Sequence, residues 1–69
     1  METVVLGVRG LPPGEATERV VASLRAVRGV TSVTEQEAGQ FEVRYDGRRA
    51  TVMDLIRAVR AHGYLAGML

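Results

Sequence analysis

The sequence lacks cysteine altogether, and that absence excludes several kinds of chemistry. A chain without a thiol has no disulfide, no thiolate metal site and no cysteine nucleophile. Tryptophan is absent too, and the aromatic residues are two tyrosines and one phenylalanine, few for a surface that stacks bases. The N-terminus has neither a basic flank nor an apolar signal core, and no long apolar run follows. We therefore expect a cytoplasmic protein without membrane insertion.

The sequence also lacks a large excess of either positive or negative charge. The nine basic residues, all of them arginine, face eight acidic ones and leave a net charge of +1. This balance disfavours nucleic acid as a partner, because nucleic-acid binding rests on a strong positive field. With 69 residues, 46% of them hydrophobic and 25% charged, the composition predicts one folded domain over residues 1–69.

The first third of the chain reads as a strand, a loop and a helix. Val4, Leu6 and Val8 alternate within a predicted strand Thr3–Arg9 and would share one buried face. Two glycines and two prolines in Gly10–Gly14 then interrupt the pattern.

A helix is predicted over Glu15–Arg28. Val20, Leu24 and Val27 fall at the spacing of one helical face, and Gly29 would cap the C-terminus. We expect this face to cover the apolar side of the first strand.

The middle of the chain predicts a hairpin. Strands Val30–Glu37 and Gln40–Tyr45 flank the turn Ala38–Gly39. Only Val30 and Val33 of the first of them can enter a core, so this strand suits the edge of a sheet.

A second helix begins at Thr51–Asp54, which resembles a capping box, and Gly63 would end it. Residues Tyr64–Leu69 follow as a final strand. The order βαββαβ predicts an α+β, ferredoxin-like sandwich with a four-stranded antiparallel sheet and both helices on one face. The buried stripe of the second helix is expected to be Val52, Leu55, Ile56 and Val59.

No set of residues has the composition of a catalytic site, so we expect a protein that is not an enzyme. His62 could be a ligand or a base, although its place at the end of a helix is explained by capping. Glu35 and Glu37 read as charged protection of an edge strand rather than paired catalytic carboxylates. Met53 and Met68 are isolated thioethers, which usually serve packing.

A set of positions spread over nearly the whole chain resembles the heavy-metal-associated domain, the small fold of copper chaperones, mercury-binding proteins and N-terminal modules of metal-transporting ATPases. Gly29-Val30 and Gly63-Tyr64 are the more specific matches. The remaining matches are Leu6, Val8, Gly10-Leu11, Val20, Leu24, Val27, Val33, Val43, Tyr45-Asp46, Leu55, Ile56 and Val59.

The resemblance implies a Gly-Met-x-Cys-x-x-Cys metal loop between the first strand and the first helix. In this chain Leu11 stands at the methionine position, while Pro13 and Ala16 stand at the two cysteine positions. Neither side chain has a donor atom, so a heavy-metal ion is implied by resemblance alone, and we expect a degenerate form that has lost the two-cysteine site.

Two functions follow. The first is a protein-interaction or accessory module in metal homeostasis, whose partner is another protein such as a metal-transporting ATPase or a related domain. The second is metal-ion binding or transport through non-cysteine ligands such as His62 and Glu15, or through a site shared between subunits. The chain itself would be a monomer or a weak homodimer. The partner-binding residues are expected to be Leu11, Pro12, Pro13, Gly14, Ala16, Arg19 and Tyr64.

Overall fold

A computed structural model describes residues 1–69 and confirms the predicted order of elements. The four strands form one antiparallel sheet in the order β2-β3-β1-β4. Neither helix has the length and apolarity that a membrane crossing requires. The elements are β1 (Glu2–Arg9), α1 (Glu15–Ala26), β2 (Val30–Glu37), β3 (Gln40–Tyr45), α2 (Val52–Arg60) and β4 (Leu65–Met68).

The core lies between the sheet and the two helices. Leu6, Phe41 and Val43 from the central strands are fully buried, as are Val20 and Leu24 of α1. The buried residues recur at every second position in the strands and at every third or fourth position in α1. This periodicity explains how the sequence predicts the face that the sheet and the helix bury together. The whole buried cluster is Val4, Leu6, Val8, Val20, Leu24, Val33, Phe41, Val43, Tyr45, Ala50, Leu55 and Val59.

The end of α1 differs from the prediction. The helix stops at Ala26 rather than Arg28, and Val27 is already extended with φ −67° and ψ 127°. Its amide still donates to the Leu24 carbonyl at 3.2 Å. Gly29 is not the helix cap: it has φ +97° in the turn that follows, where the chain must reverse to enter β2.

The predicted start of α2 is confirmed. Thr51 is the N-cap, and its hydroxyl accepts the Asp54 amide at 3.2 Å while the Asp54 carboxylate accepts the Thr51 amide at 2.9 Å. The helix ends at Arg60, before the predicted stop, because a single turn over residues 61–63 intervenes. Gly63 closes that turn with φ +87° and donates to the Arg60 carbonyl at 2.8 Å.

Within the predicted stripe of α2, Leu55 and Val59 are buried, and Val52 and Ile56 are half-buried against the core. The predicted terminal strand is shorter in the structure, where β4 spans Leu65–Met68.

The edge position predicted for β2 is confirmed. Its pairing with β3 is irregular between Val30 and Ser32 and again between Glu35 and Glu37. Val33 is buried, whereas Val30 is half-buried. A strand with two irregularities and an acidic end is a poor template for further strand pairing.

Candidate functional site

The candidate site is the loop between β1 and α1, residues 10–14, with the first turn of α1. Gly10 leaves β1 with φ +75°, and Gly14 enters the helix with φ +88°. Leu11 packs against the core, while Pro12 and Pro13 are exposed. The loop is thus held by one apolar side chain and presents two proline rings to solvent.

Hydrogen bonds tie this loop to the start of α1. The Thr17 hydroxyl donates to the Pro12 carbonyl at 2.8 Å, and the Glu18 amide donates to the Gly14 carbonyl at 3.0 Å. Gly14 occupies the N-cap without a side-chain hydrogen bond. Prolines at 12 and 13 have fixed φ and no amide hydrogen, so the loop exposes few donors.

The two positions that correspond to the cysteine ligands lie on this rigid segment, which comprises the loop and the first turn of α1. Pro13 is exposed in the loop, and Ala16 is half-buried in the first turn of α1. Their side chains offer only carbon and hydrogen, which can contact another surface but cannot coordinate an ion. Of the remaining first-turn residues, Glu15 forms an exposed ion pair with Arg19. Such a pair contributes little stability.

The two residues proposed as substitute ligands have partners of their own. Glu15 is paired with Arg19, and His62 Nε2 lies 2.6 Å from Ser23 Oγ on α1. No group of three or more His, Cys, Asp or Glu residues is close enough together to hold an ion. Ser23 was not predicted from the sequence, because 39 positions separate it from His62 and no local pattern links them.

Tyr64 lies at the same end of the sheet as the loop. It immediately precedes β4, whose first residue, Leu65, pairs with Arg9 at the end of β1. Tyr64 is half-buried against the core. The turn of the β2–β3 hairpin also reaches this end, where the Gly39 carbonyl accepts the Val8 amide at 2.7 Å.

A charged cluster lies at the opposite end of the molecule, after β3. The Arg48 side chain, hydrogen-bonded to the Asp46 carboxylate at 3.2 Å, lowers the pKa of that carboxyl below its usual 3.8, and the Arg48 amide adds to the effect. The same contact raises the pKa of Arg48. This cluster stabilises a turn and does not face the candidate site.

Comparison with known proteins gives structural matches. No protein-family profile matches the sequence, and no curated protein sequence matches it. A copper-binding domain of the P-type ATPase HMA7 superimposes with a TM-score of 0.93 at 23% identity, covering 100% of this chain and 95% of that one. Oxidised MerP from Ralstonia metallidurans gives 0.88 at 28% identity, covering 97% and 94%. The CopZ metallochaperone gives 0.87 at 28% identity, covering 96% and 100%.

These likenesses, together with the βαββαβ topology, show a ferredoxin-like fold that is similar to copper chaperone-like domains of the heavy-metal-associated type. The resemblance predicted from the sequence is confirmed. This chain has Pro13 and Ala16 at the two positions discussed above and no cysteine anywhere.

Proposed function

We propose that this chain, acting as one unit over residues 1–69, is a non-enzymatic interaction or accessory module in metal homeostasis. One observation carries the proposal: the loop between β1 and α1 keeps an ordered, exposed surface while both ligand positions hold carbon side chains, Pro13 and Ala16. Such a surface can contact a partner without coordinating an ion.

The physical character of the loop supports this role. Pro12 and Pro13 are exposed and conformationally restricted, so little entropy is lost when a partner orders them. Arg19 is exposed on the next turn of α1, and its planar guanidinium adds hydrogen-bond donors at the border of the loop surface. Gly14 has no side chain and Ala16 has only a methyl group, so the middle of the loop surface does not protrude. The backbone of a partner can therefore approach it closely.

The partner we propose is a metal-transporting ATPase or a related heavy-metal-associated domain in the cytoplasm. The HMA7 match is described as a copper-binding domain of a P-type ATPase, and CopZ is described as a metallochaperone. A module of the same shape, without a competing ion site, would occupy the corresponding surface of such a partner.

The test is a titration of isotope-labelled chain with a purified two-cysteine domain of an ATPase from the same organism, followed by amide NMR. We expect shifts at Leu11, Gly14, Ala16, Arg19 and Tyr64, both with and without Cu(I) on the partner. Shifts confined to the opposite end of the molecule, at residues 46–51, or none at millimolar partner, would contradict the proposed surface.

A pair of variants sharpens the result. Pro13→Glu places a charge in the loop and should weaken the complex about tenfold or more. Thr34→Glu adds the same charge to exposed β2, away from the loop, and should leave the affinity unchanged. Equal weakening by both variants would point to net charge rather than to the loop.

A further inference from the structure

The two edges of the sheet are built differently. The outer strand β2 is irregular and includes Glu35 and Glu37. At the other edge, β4 is regular along its four residues, Leu65–Met68, and contains no charged side chain. Strand β2 has irregular pairing and charged side chains, both of which normally block strand pairing, whereas β4 has neither and is protected only by its short length.

The hydrogen-bonding groups on β4 follow from its pairing with β1. The Leu69 amide donates to the Val5 carbonyl at 2.9 Å. Because antiparallel ladders alternate, Gly67, which is opposite Gly7, also directs its amide and carbonyl toward β1. The amides and carbonyls of Ala66 and Met68 therefore point to the open edge.

The sheet face away from the helices is apolar at this edge. A side chain at Gly7 would meet Leu69, whose Cδ2 lies 2.9 Å from the place of the missing Cβ, so Leu69 rests on the Gly7 backbone. Leu65 and Leu69 remain 65% and 70% exposed. Gly67 leaves open space between them, since nothing lies within 4 Å of its Cβ position.

We propose that β4 is a self-association edge, which pairs antiparallel with β4 of a second copy of this chain about a two-fold axis at Gly67. In this register Ala66 exchanges hydrogen bonds with Met68 of the second copy, and Met68 with Ala66 of the second copy. Leu65 lies beside Leu69 of the second copy. The two sheets become one.

The occupant is a second copy because β4 is complementary to itself in this register. Its outward groups alternate so that each donor meets an acceptor, and each exposed leucine meets a leucine. No like charges meet, because the strand has none, whereas pairing β2 with itself would bring glutamates together. The edge is short, so we expect a weak dimer with a dissociation constant between about 10 µM and about 1 mM.

The first measurement is sedimentation of the unaltered chain across that concentration range, together with amide NMR. We expect the mean mass to rise toward that of a dimer and the Ala66 and Met68 amides to shift with concentration. A chain that stays monomeric at about 1 mM would overturn the proposal and leave the edge for a foreign strand.

The second measurement tests the two-fold axis by substituting Gly67, the residue that lies on it. Gly67→Lys and Gly67→Glu each place two like charges directly opposite each other, at a position with room for a side chain. Each variant alone should raise the dissociation constant about tenfold or more. An equal mixture should restore association, because lysine then faces glutamate.

Thr34→Lys and Thr34→Glu, on the opposite edge, are the matched controls and should dimerise like the unaltered chain. Since rescue by mixing requires both variants to be folded, a folding defect cannot imitate it. A mixture that associates no better than its components would overturn the two-fold at Gly67. This proposal does not depend on the proposed function of the loop.

Discussion

Single residues distinguish the chemistry that this chain can perform from that of the metal-binding domains its fold resembles. Pro13 and Ala16 stand where the resemblance implies thiolates, and neither provides an electron pair for a metal. Single residues also carry much of the stability, because a domain of this size buries few large side chains. Leu24 is one of these, with no exposed surface at all.

Leu24→Ala should lower the free energy of unfolding by about 2 to 5 kcal/mol, since it removes buried methyl groups and leaves a partial cavity under α1. Chemical denaturation measures this loss. Leu65→Ala is the control, because Leu65 is 65% exposed, and it should change stability by less than about 0.5 kcal/mol in dilute solution. A loss below about 1 kcal/mol for Leu24→Ala would mean that the helix does not rest on this side chain.

Asp46→Asn should lower stability in a manner that depends on pH. The folded chain lowers the pKa of Asp46 below 3.8, so the carboxylate stabilises the fold at pH above that value and loses its contribution as pH falls through the folded pKa. Thermal unfolding at several pH values measures the difference between the two chains. It should be largest near neutrality and shrink below about pH 4. A difference that does not vary with pH would show that the charge is not responsible.

At the scale of elements, the loop between β1 and α1 and the strand β4 matter most. The loop is ordered by Leu11, by the Thr17–Pro12 hydrogen bond and by two glycines of positive φ. These contacts involve none of the side chains at the ligand positions. The shape of the loop and its capacity to bind an ion are therefore separable.

Pro13→Cys combined with Ala16→Cys should create a soft-metal site, because two thiols on this loop can converge on one ion and release protons as it enters. Competition with a Cu(I) chelator, without oxygen, measures the affinity. We expect retention of Cu(I), weaker than in a loop with native cysteines, since Pro12 restricts the backbone. If the folded, reduced double variant holds Cu(I) no better than either single-cysteine variant, the loop does not support a two-thiolate site.

On the scale of the whole molecule, the structure has two distinct outer regions. The loop end presents proline rings and α1, and the β4 edge presents unpaired backbone groups between exposed leucines. The two regions adjoin at the start of β4, where Leu65 follows Tyr64 and pairs with Arg9. A partner at the loop and a second copy at the edge can therefore be tested independently.

The unaltered chain should not bind Cu(I) tightly. It has no thiolate, and its one imidazole, His62, lies against Ser23 rather than beside further ligands. Titration with a Cu(I) chelator in anaerobic buffer measures this, and a copper chaperone that has both cysteines is the positive control. Stoichiometric retention of Cu(I) by this chain would contradict the prediction and favour a site of non-cysteine ligands.

Much of the fold could be predicted from local pattern. The alternation of Val4, Leu6 and Val8 requires only the period of a strand, and the capping box at Thr51 requires only residues three apart. Element ends were less predictable. Val27 has helical spacing, yet it is extended because the chain must turn there into β2. The loop residues were placed by resemblance, and their role as a partner surface stays a prediction.

By itself the sequence determined the βαββαβ order, the buried faces and the absence of any thiolate. Hydrophobic periodicity and amino-acid composition do not depend on contacts with residues far apart in the chain. Only the tertiary structure decided that His62, in the turn after α2, meets Ser23 of α1, and that β4 ends the sheet with the groups of Ala66 and Met68 unpaired. Both results depend on which elements lie side by side and in what register. Contacts between residues far apart in sequence set these, and no local pattern records them.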